Sequence, residues 1–404
     1  MNLKESITWA VTGLFIFASA LQAEEIKGDK TAGKTDARRL AKSGMADDGP
    51  TSTFFNINSW KIQMEHQGFF QWNGTSHGSA GNYPKGMGSV IFAEGILWGV
   101  KASDKYGVDA TTGEILTDGS GSGDPRVRVN GSMYNTGLKA GKVLRDANGV
   151  IKTKDYSENY RDHQIWRVRK DWNTGDLTVD ASILRDISVA DVTEAMITAD
   201  KAQYEKDWNN WPASEGAPYD DVNGDGAYTP GTWSSETNAW VGDVPGVPGA
   251  DQTIWTVAND LPDEYAEGGV VSVSEGGWGS PPVGFEMQLT LWGYDFPFSN
   301  PISSMMFKRA RMIYTGLPGG PADAKLDTVY FTQWSDPDLG TYTDDYVGAD
   351  TSLSLGYVYN GNTYDDQFLS SFGSPVPAGG YDFLEGPKVD VNGDGVLDTL
   401  GMTS

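Results

Sequence analysis

The sequence predicts a mainly β protein of antiparallel β-sandwich architecture, with a short helical insert and calcium-type loops. Three observations point there. Fifty-one glycines and 19 prolines are spread through 404 residues, a density of turn formers that favours short strands over long helices. The apolar runs between them are short. One of them, V-G-F-E-M-Q-L-T-L-W-G-Y-D, alternates Phe285, Met287, Leu289 and Leu291 with Glu286, Gln288 and Thr290, the period-two pattern of a half-buried strand.

Further strands are expected over residues 89–101, 163–172 and 252–260, and then in M-M-F-K-R-A-R-M-I-Y-T-G, L-D-T-V-Y-F-T-Q-W and L-S-L-G-Y-V-Y-N. Gly, Pro or Asp bounds each of these last runs, as it should where a chain reverses between antiparallel strands. One segment breaks the habit. Ser188 followed by Asp191 has the form of a helix start, and Val189, Val192, Met196 and Ala199 recur at three- and four-residue steps, so a helix is expected to run to about residue 207. Pro212 helps to end it. No period of about 20–50 residues repeats, which argues against a solenoid or propeller.

The chain opens with Lys4, an apolar run from about Ile7 to Ala20 and small residues before a charged stretch, so residues 1–23 read as a cleaved secretory signal. The run falls short of the ~20 apolar residues a bilayer span needs, and no membrane insertion is expected after cleavage. Residues 24–53, small and charged, read as a flexible leader, and residues 54–404 as the β-rich region. With no cysteine, stability must come from core burial, with metal as a further source. Fifty-five acidic residues against 30 basic ones leave a net charge of -25, which makes nucleic acid and anionic membrane poor partners. The 14 tryptophans are expected to pack rather than to line a ligand site.

Two short strings carry metal chemistry. D-V-N-G-D-G places Asp221, Asn223 and Asp225 on alternate positions before Gly226, and a second copy places Asp390, Asn392 and Asp394 before Gly395, with Asp398 at the ninth position. Calcium takes about six to eight oxygens, and this spacing lets one curled segment offer three side chains around a turn that glycine permits. The same dipeptides are hairpin signals, so each copy is also readable as a bare turn. The twelfth position, a bidentate Glu in an EF-hand, is Thr232 in one copy and Gly401 in the other. Asp220, Glu236 or Asp251 is the expected source of a missing ligand in the first loop.

A third acidic group holds Asp336, Asp338, Asp344, Asp345 and Asp350. Carboxylates this close repel unless a cation or protons are shared among them, so the stretch reads as a third calcium site or as an acid/base pair. A solvated acidic hairpin is the plainer alternative. Glycoside hydrolysis would need two such groups ~5–9 Å apart. His66, His77 and His163 lack zinc spacing, and no nucleophile elbow, phosphate loop or dinucleotide fingerprint occurs. No catalytic residue is singled out.

Several long strings, among them G-N-Y-P-K-G-M-G-S-V-I-F-A-E-G-I-L-W-G-V-K, Y-E-K-D-W-N-N-W-P-A-S-E-G-A-P-Y-D-D-V-N-G-D-G-A-Y-T-P-G and F-T-Q-W-S-D-P-D-L-G-T-Y-T-D-D-Y-V-G-A-D, follow one another in this order. They resemble the N-terminal region of large secreted or surface proteins of gliding-type bacteria, of the kind exported by the type IX secretion system. The resemblance runs from about Phe54 to the end. It implies export and a cell-surface or secreted fate. It implies no activity and carries over no catalytic residue. The C-terminal sorting domain of such proteins is not in this sequence, and the chain is expected to be part of a longer protein.

The expected function is that of an exported, calcium-stabilised β-rich module of a larger cell-surface or secreted protein, serving adhesion or glycan binding. An extracellular glycan or a surface protein is its expected partner. The alternative is a polysaccharide-active enzyme that uses the Asp336–Asp350 carboxylates.

Overall fold

The computed structural model describes residues 50–68, 81–103, 125–132, 138–145, 151–152, 164–261, 283–316, 326, 328–386, 388–389 and 398–399. Within them the chain is mainly strands in several antiparallel sheets, with three α-helices, Thr178–Arg185, Glu194–Asn209 and Asp366–Phe372. No helix among the described residues is long and apolar enough to cross a membrane. The expected signal segment and most of the leader lie outside the described residues. The first strand, Ser52–Phe55, starts two residues earlier than expected and already buries Thr53.

The largest sheet orders Trp166–Arg169, Gln252–Asn259, Phe285–Gly293 and Phe307–Tyr314, with Lys139–Ala140 added at the end of Gln252–Asn259. A second sheet sets Ala93–Ser103 between Thr328–Asp336 and Pro125–Gly131, and a third runs Ser52–Phe55, Lys61–Glu65, Gly81–Asn82 and Ser89–Ile91. The second and largest sheets meet through rings. Trp98 stands edge-on to Phe285 at 5.6 Å, and Phe331 lies 5.7 Å from the same ring. Phe55, Ile62 and Met64 of the third sheet join this core, all at 1 % exposure or less. Each fully buried side chain of this size contributes about 1.5–3 kcal/mol relative to exposure.

The strand Phe285–Gly293 is where the expected alternation fails. Glu286, Gln288 and Thr290 are buried along with their apolar neighbours, at 6, 5 and 3 % exposure. Their face is covered by other segments: Gln288 Nε2 donates to the Glu215 carbonyl at 2.9 Å, and Glu286 Oε2 accepts the Val143 N–H at 2.8 Å. The strand is central in its sheet and buried on both faces. The residues that should have faced water instead make buried hydrogen bonds.

The helix also differs from expectation. Ser188 caps only a single 3-10 turn, Val189–Asp191, and the α-helix starts at Glu194, capped by Thr193 Oγ1 on the Met196 N–H. Its buried face is Asp200, Tyr204, Asp207 and Trp208, whereas Val189 and Ala199 are exposed. Polar partners replace an apolar stripe. Asp200 takes Arg185 at 2.6 and 2.7 Å, and Asp207 accepts the Arg167 N–H at 3.1 Å and side-chain amides of Gln164 and Gln203.

Beside it lies a buried charge network. Asp180 accepts from Arg167, from the Tyr204 hydroxyl at 2.9 Å and from the Asn56 amide at 2.8 Å. Burial pushes the Asp180 carboxyl up, but the Arg167 guanidinium more than offsets this and holds it well below the usual carboxylate range. Among the described residues, Trp166, Trp208, Trp211 and Trp255 form a second core, with Trp240 stacked on Trp208 at 4.0 Å.

Candidate functional site

The first D-x-N-x-D-G loop lies between two small strand pairs, Tyr219–Asp220 with Val244–Pro245 and Thr232–Ser234 with Ala239–Val241. Asp221 curls it. Its Oδ1 accepts the N–H groups of Gly224 and Asp225 at 2.8 and 3.2 Å, and its Oδ2 accepts that of Gly226 at 2.8 Å. Gly224 and Gly226 sit at φ 72° and 75°, the left-handed region where a side chain would be strained. Asn223 Nδ2 donates to Asp225 Oδ2 at 3.1 Å, so the third and fifth positions touch.

Asp243, which sequence reasoning missed, closes the loop from below. Fully buried, it accepts the Val222 N–H on Oδ1 at 3.1 Å and the Thr229 N–H on Oδ2 at 2.7 Å. Burial raises the pKa of the Tyr219 phenol, and Asp221, Asp243 and Asp225 raise it further, so all three carboxylates act on one neighbourhood. The suggested extra ligands fare differently. Asp251 Oδ2 is taken by the Asp295 N–H at 2.8 Å, while Asp220, Glu236 and Thr232 are exposed.

In kind, the loop suits a hard cation: two carboxylates and one amide oxygen on a segment already curled. Among the described residues no group of three or more Asp, Glu or His side chains stands close enough to hold an ion. An ion at this loop would therefore also draw on Asn223, on main-chain carbonyls and on water. Asp390, Asn392 and Asp394 of the second copy lie outside the described residues. Asp398 is placed only as backbone, opposite Val389 in a two-stranded pair.

The 336–350 stretch is not a loop throughout. Asp336 ends the strand Thr328–Asp336 and Asp345 starts the strand Asp345–Asp350, leaving a turn pinned at Gly340, whose N–H reaches the Ser89 carbonyl at 3.0 Å. Two carboxylates hold the turn: Asp365 accepts the Thr341 N–H, and Asp345 Oδ2 accepts the Leu339 N–H at 2.8 Å. Asp344 Oδ2 takes the Asn362 amide at 2.6 Å. Asp344 Oδ1, Asp345 Oδ1 and, directly across the strand pair from Asp345, Asn360 Oδ1 are buried with no hydrogen-bond partner.

Burial, then Asp336 and Asp345, push Asp338 up to about 7. Burial, opposed by the Leu339 N–H, with further upward pushes from Asp344 and Asp365, takes Asp345 to about 6. The fold thus brings Asp336, Asp338, Asp344 and Asp345 into one electrostatic group. Asp350 stays apart, its carboxylate turned to the Ser352 N–H and hydroxyl at 2.9 and 2.6 Å. Sequence reasoning also missed Asp365, which is 1 % exposed.

This turn feeds a three-stranded antiparallel sheet, Asp345–Asp350, Leu355–Asn360 and Gly379–Asp382. Its inner face carries Val358 and Tyr381 into the main core. Its outer face carries Tyr346, Tyr359 and Tyr357, exposed by 59, 45 and 38 %. No known protein family, curated protein or solved structure matches this chain.

Proposed function

We propose that the chain is an exported, calcium-stabilised module of a larger cell-surface or secreted protein, and that it serves adhesion or glycan binding. The observation that carries a binding role is the outer face of the three-stranded sheet, where large aromatic side chains face solvent beside acidic turns. Exposed aromatic clusters on a soluble protein mark contact surfaces. Calcium is supported by the curl of the Asp221–Gly226 loop and by the partnerless oxygens of Asp344, Asp345 and Asn360, which a hard cation would satisfy. We further propose that the two large sheets form a sandwich, on the strength of the Trp98–Phe285 and Phe285–Phe331 contacts.

Thermal melts test the calcium reading. A ligand that binds only the native state raises its stability by mass action. Chelator should lower the melting temperature by several degrees, and calcium but not sodium should restore it. An unchanged melt removes calcium from the proposal.

One observation favours a second reading, a polysaccharide-active enzyme. Asp338, pushed to about 7 beside Asp336, is a carboxyl that can carry a proton at neutral pH next to another carboxylate, as an acid/base pair requires. New reducing ends released from polysaccharides by the parent, and abolished by Asp336→Asn with Asp338→Asn, would promote it. Retention of polysaccharide without turnover would leave the binding module standing.

A further inference from the structure

The three exposed tyrosines form a strip. Tyr346 stands directly opposite Tyr359 in the strand ladder, with ring centroids 6.0 Å apart and planes 27° apart. Tyr357, two residues from Tyr359 and so on the same face, continues the row at 6.1 Å and 33°. Two of the rings lie against glycine. Tyr357 covers Gly348 and Tyr346 covers Gly361 so closely that a Cβ on either glycine would run into the ring. Tyr346 and Tyr357 thus rest on glycine, Tyr359 stands between them in the row, and all three side chains remain open to solvent.

The electrostatics of this face narrow the occupant. No Lys, Arg or His occurs from Thr328 to Gly386. Asp350 and Asp382 both pair with Leu355, two residues before Tyr357, so they share the strip's face at one end. An anionic chain would meet carboxylates and find no counter-charge in the segment that builds the sheet. A lone cation is best held where several ring faces converge on it. Here the ring planes follow one another along a row, 27° and 33° apart, which suits an extended, repeating ligand. Sugar rings supply such a ligand, with C–H faces for the tyrosines and hydroxyl donors for carboxylates at the end of the row.

We propose that the Tyr346–Tyr359–Tyr357 strip is a docking platform for a neutral, linear polysaccharide laid along it. This rests on the reading of the chain as a binding module and adds the site and the ligand class. The glycines are part of the device, because a side chain at position 348 or 361 would lift a ring out of the row.

Co-sedimentation or affinity electrophoresis of the full chain against cellulose, chitin, xylan, mannan and laminarin tests it, with alginate and polylysine as charged counterparts. At least one neutral polysaccharide should be retained and alginate should not. Replacing all three tyrosines with Ala should weaken retention at least tenfold, while Tyr→Phe at the same positions should keep it within about threefold, since the ring faces remain. A second measurement uses the parent protein alone: the retained polysaccharide should slow nitration of Tyr346, Tyr357 and Tyr359 by tetranitromethane at least threefold. Tyr330, 68 % exposed on another sheet, should be unaffected. Retention by the parent that the triple Ala variant leaves unchanged, or nitration that polysaccharide does not slow, overturns the strip and leaves the module reading intact. Retention on polylysine alone overturns the ligand class, and failure to retain any of the seven polymers overturns the strip and glycan binding together.

Discussion

The carboxylate of Asp365 is shared between Thr341 and a helix: Oδ2 accepts the Thr341 N–H at 2.7 Å, and Oδ1 accepts the Phe368 N–H at 2.7 Å as the cap of Asp366–Phe372. One buried acid therefore ties the acidic turn to a helix start. Asp365→Ala removes both bonds and leaves one buried and one half-buried N–H unmet, at a cost of about 2–3 kcal/mol. Urea denaturation measures it. Asp365→Asn keeps one acceptor and should cost roughly half as much, and a loss below about 0.5 kcal/mol in the Ala variant would show that the turn is held by other contacts.

Stability should fall as pH rises from about 4 to about 7. Burial holds Asp207 up at about 7, against the bonds it accepts from Arg167, Gln203 and Gln164. The unfolded chain ionises near pH 4. Between those values the native state holds the extra proton, so the unfolded state gains as pH increases, and the loss is complete above the folded value. Asp260, raised to about 6 by burial against main-chain N–H bonds that include those of Val283, Phe285 and Gly284, acts in the same sense. Asp207→Asn should flatten this slope in chemical denaturation run at several pH values. Gln164 Oε1, buried and partnerless, gives the new amide an acceptor within reach of a Gln side-chain turn. Below about pH 4 the sign reverses for Asp180, whose depressed carboxyl loses its stabilising charge only as pH drops through its folded value.

The first loop should depend on Asp225 far more than on its twelfth position. Asp225→Ala deletes a charged oxygen donor and should weaken calcium binding at least tenfold, or ~1.4 kcal/mol. Thr232 is exposed in a strand and offers one neutral oxygen, so Thr232→Ala should change affinity little. Calorimetric titration of both variants checks this, and equal effects would mean that the loop is not read in the EF-hand register.

Phe285 is the hinge of the main core, within ring contact of Trp98, Tyr314 and Phe331. Phe285→Ala should cost about 3–5 kcal/mol through lost contacts and a cavity, whereas Phe298→Ala should stay within about 0.5 kcal/mol. Phe298 is 67 % exposed, and the same denaturation series compares the two.

The mainly β class was legible because strand periodicity and turn residues are local signals. Runs such as residues 252–260 became strands almost as delimited, Gln252–Asn259. The curl of the Asp221–Gly226 loop was legible for the same reason, since its hydrogen bonds span no more than five residues. The covering of Glu286 and Gln288 was not, because Val143 and Glu215 reach them from distant parts of the chain. Asp243 and Asp365 looked like any turn-forming Asp, and only tertiary contact makes them clamps. The run L-S-L-G-Y-V-Y-N read as a strand, but alternation alone does not say which face is wet. Val358 went inward and the two tyrosines outward because only one face meets the core.

The network around Arg167 has a consequence for the order in which the chain can fold. Asn56 donates its main-chain N–H to Gln252, 196 positions later, and its side-chain amide to Asp180, 124 positions later. The first strand region thus cannot be completed until Gln252 has been made. Structures dominated by such distant pairings fold slowly, because loop closure is unfavourable until the late partners arrive. The Asn56 end of the chain therefore waits, during folding, for partners that lie 124 and 196 positions further on.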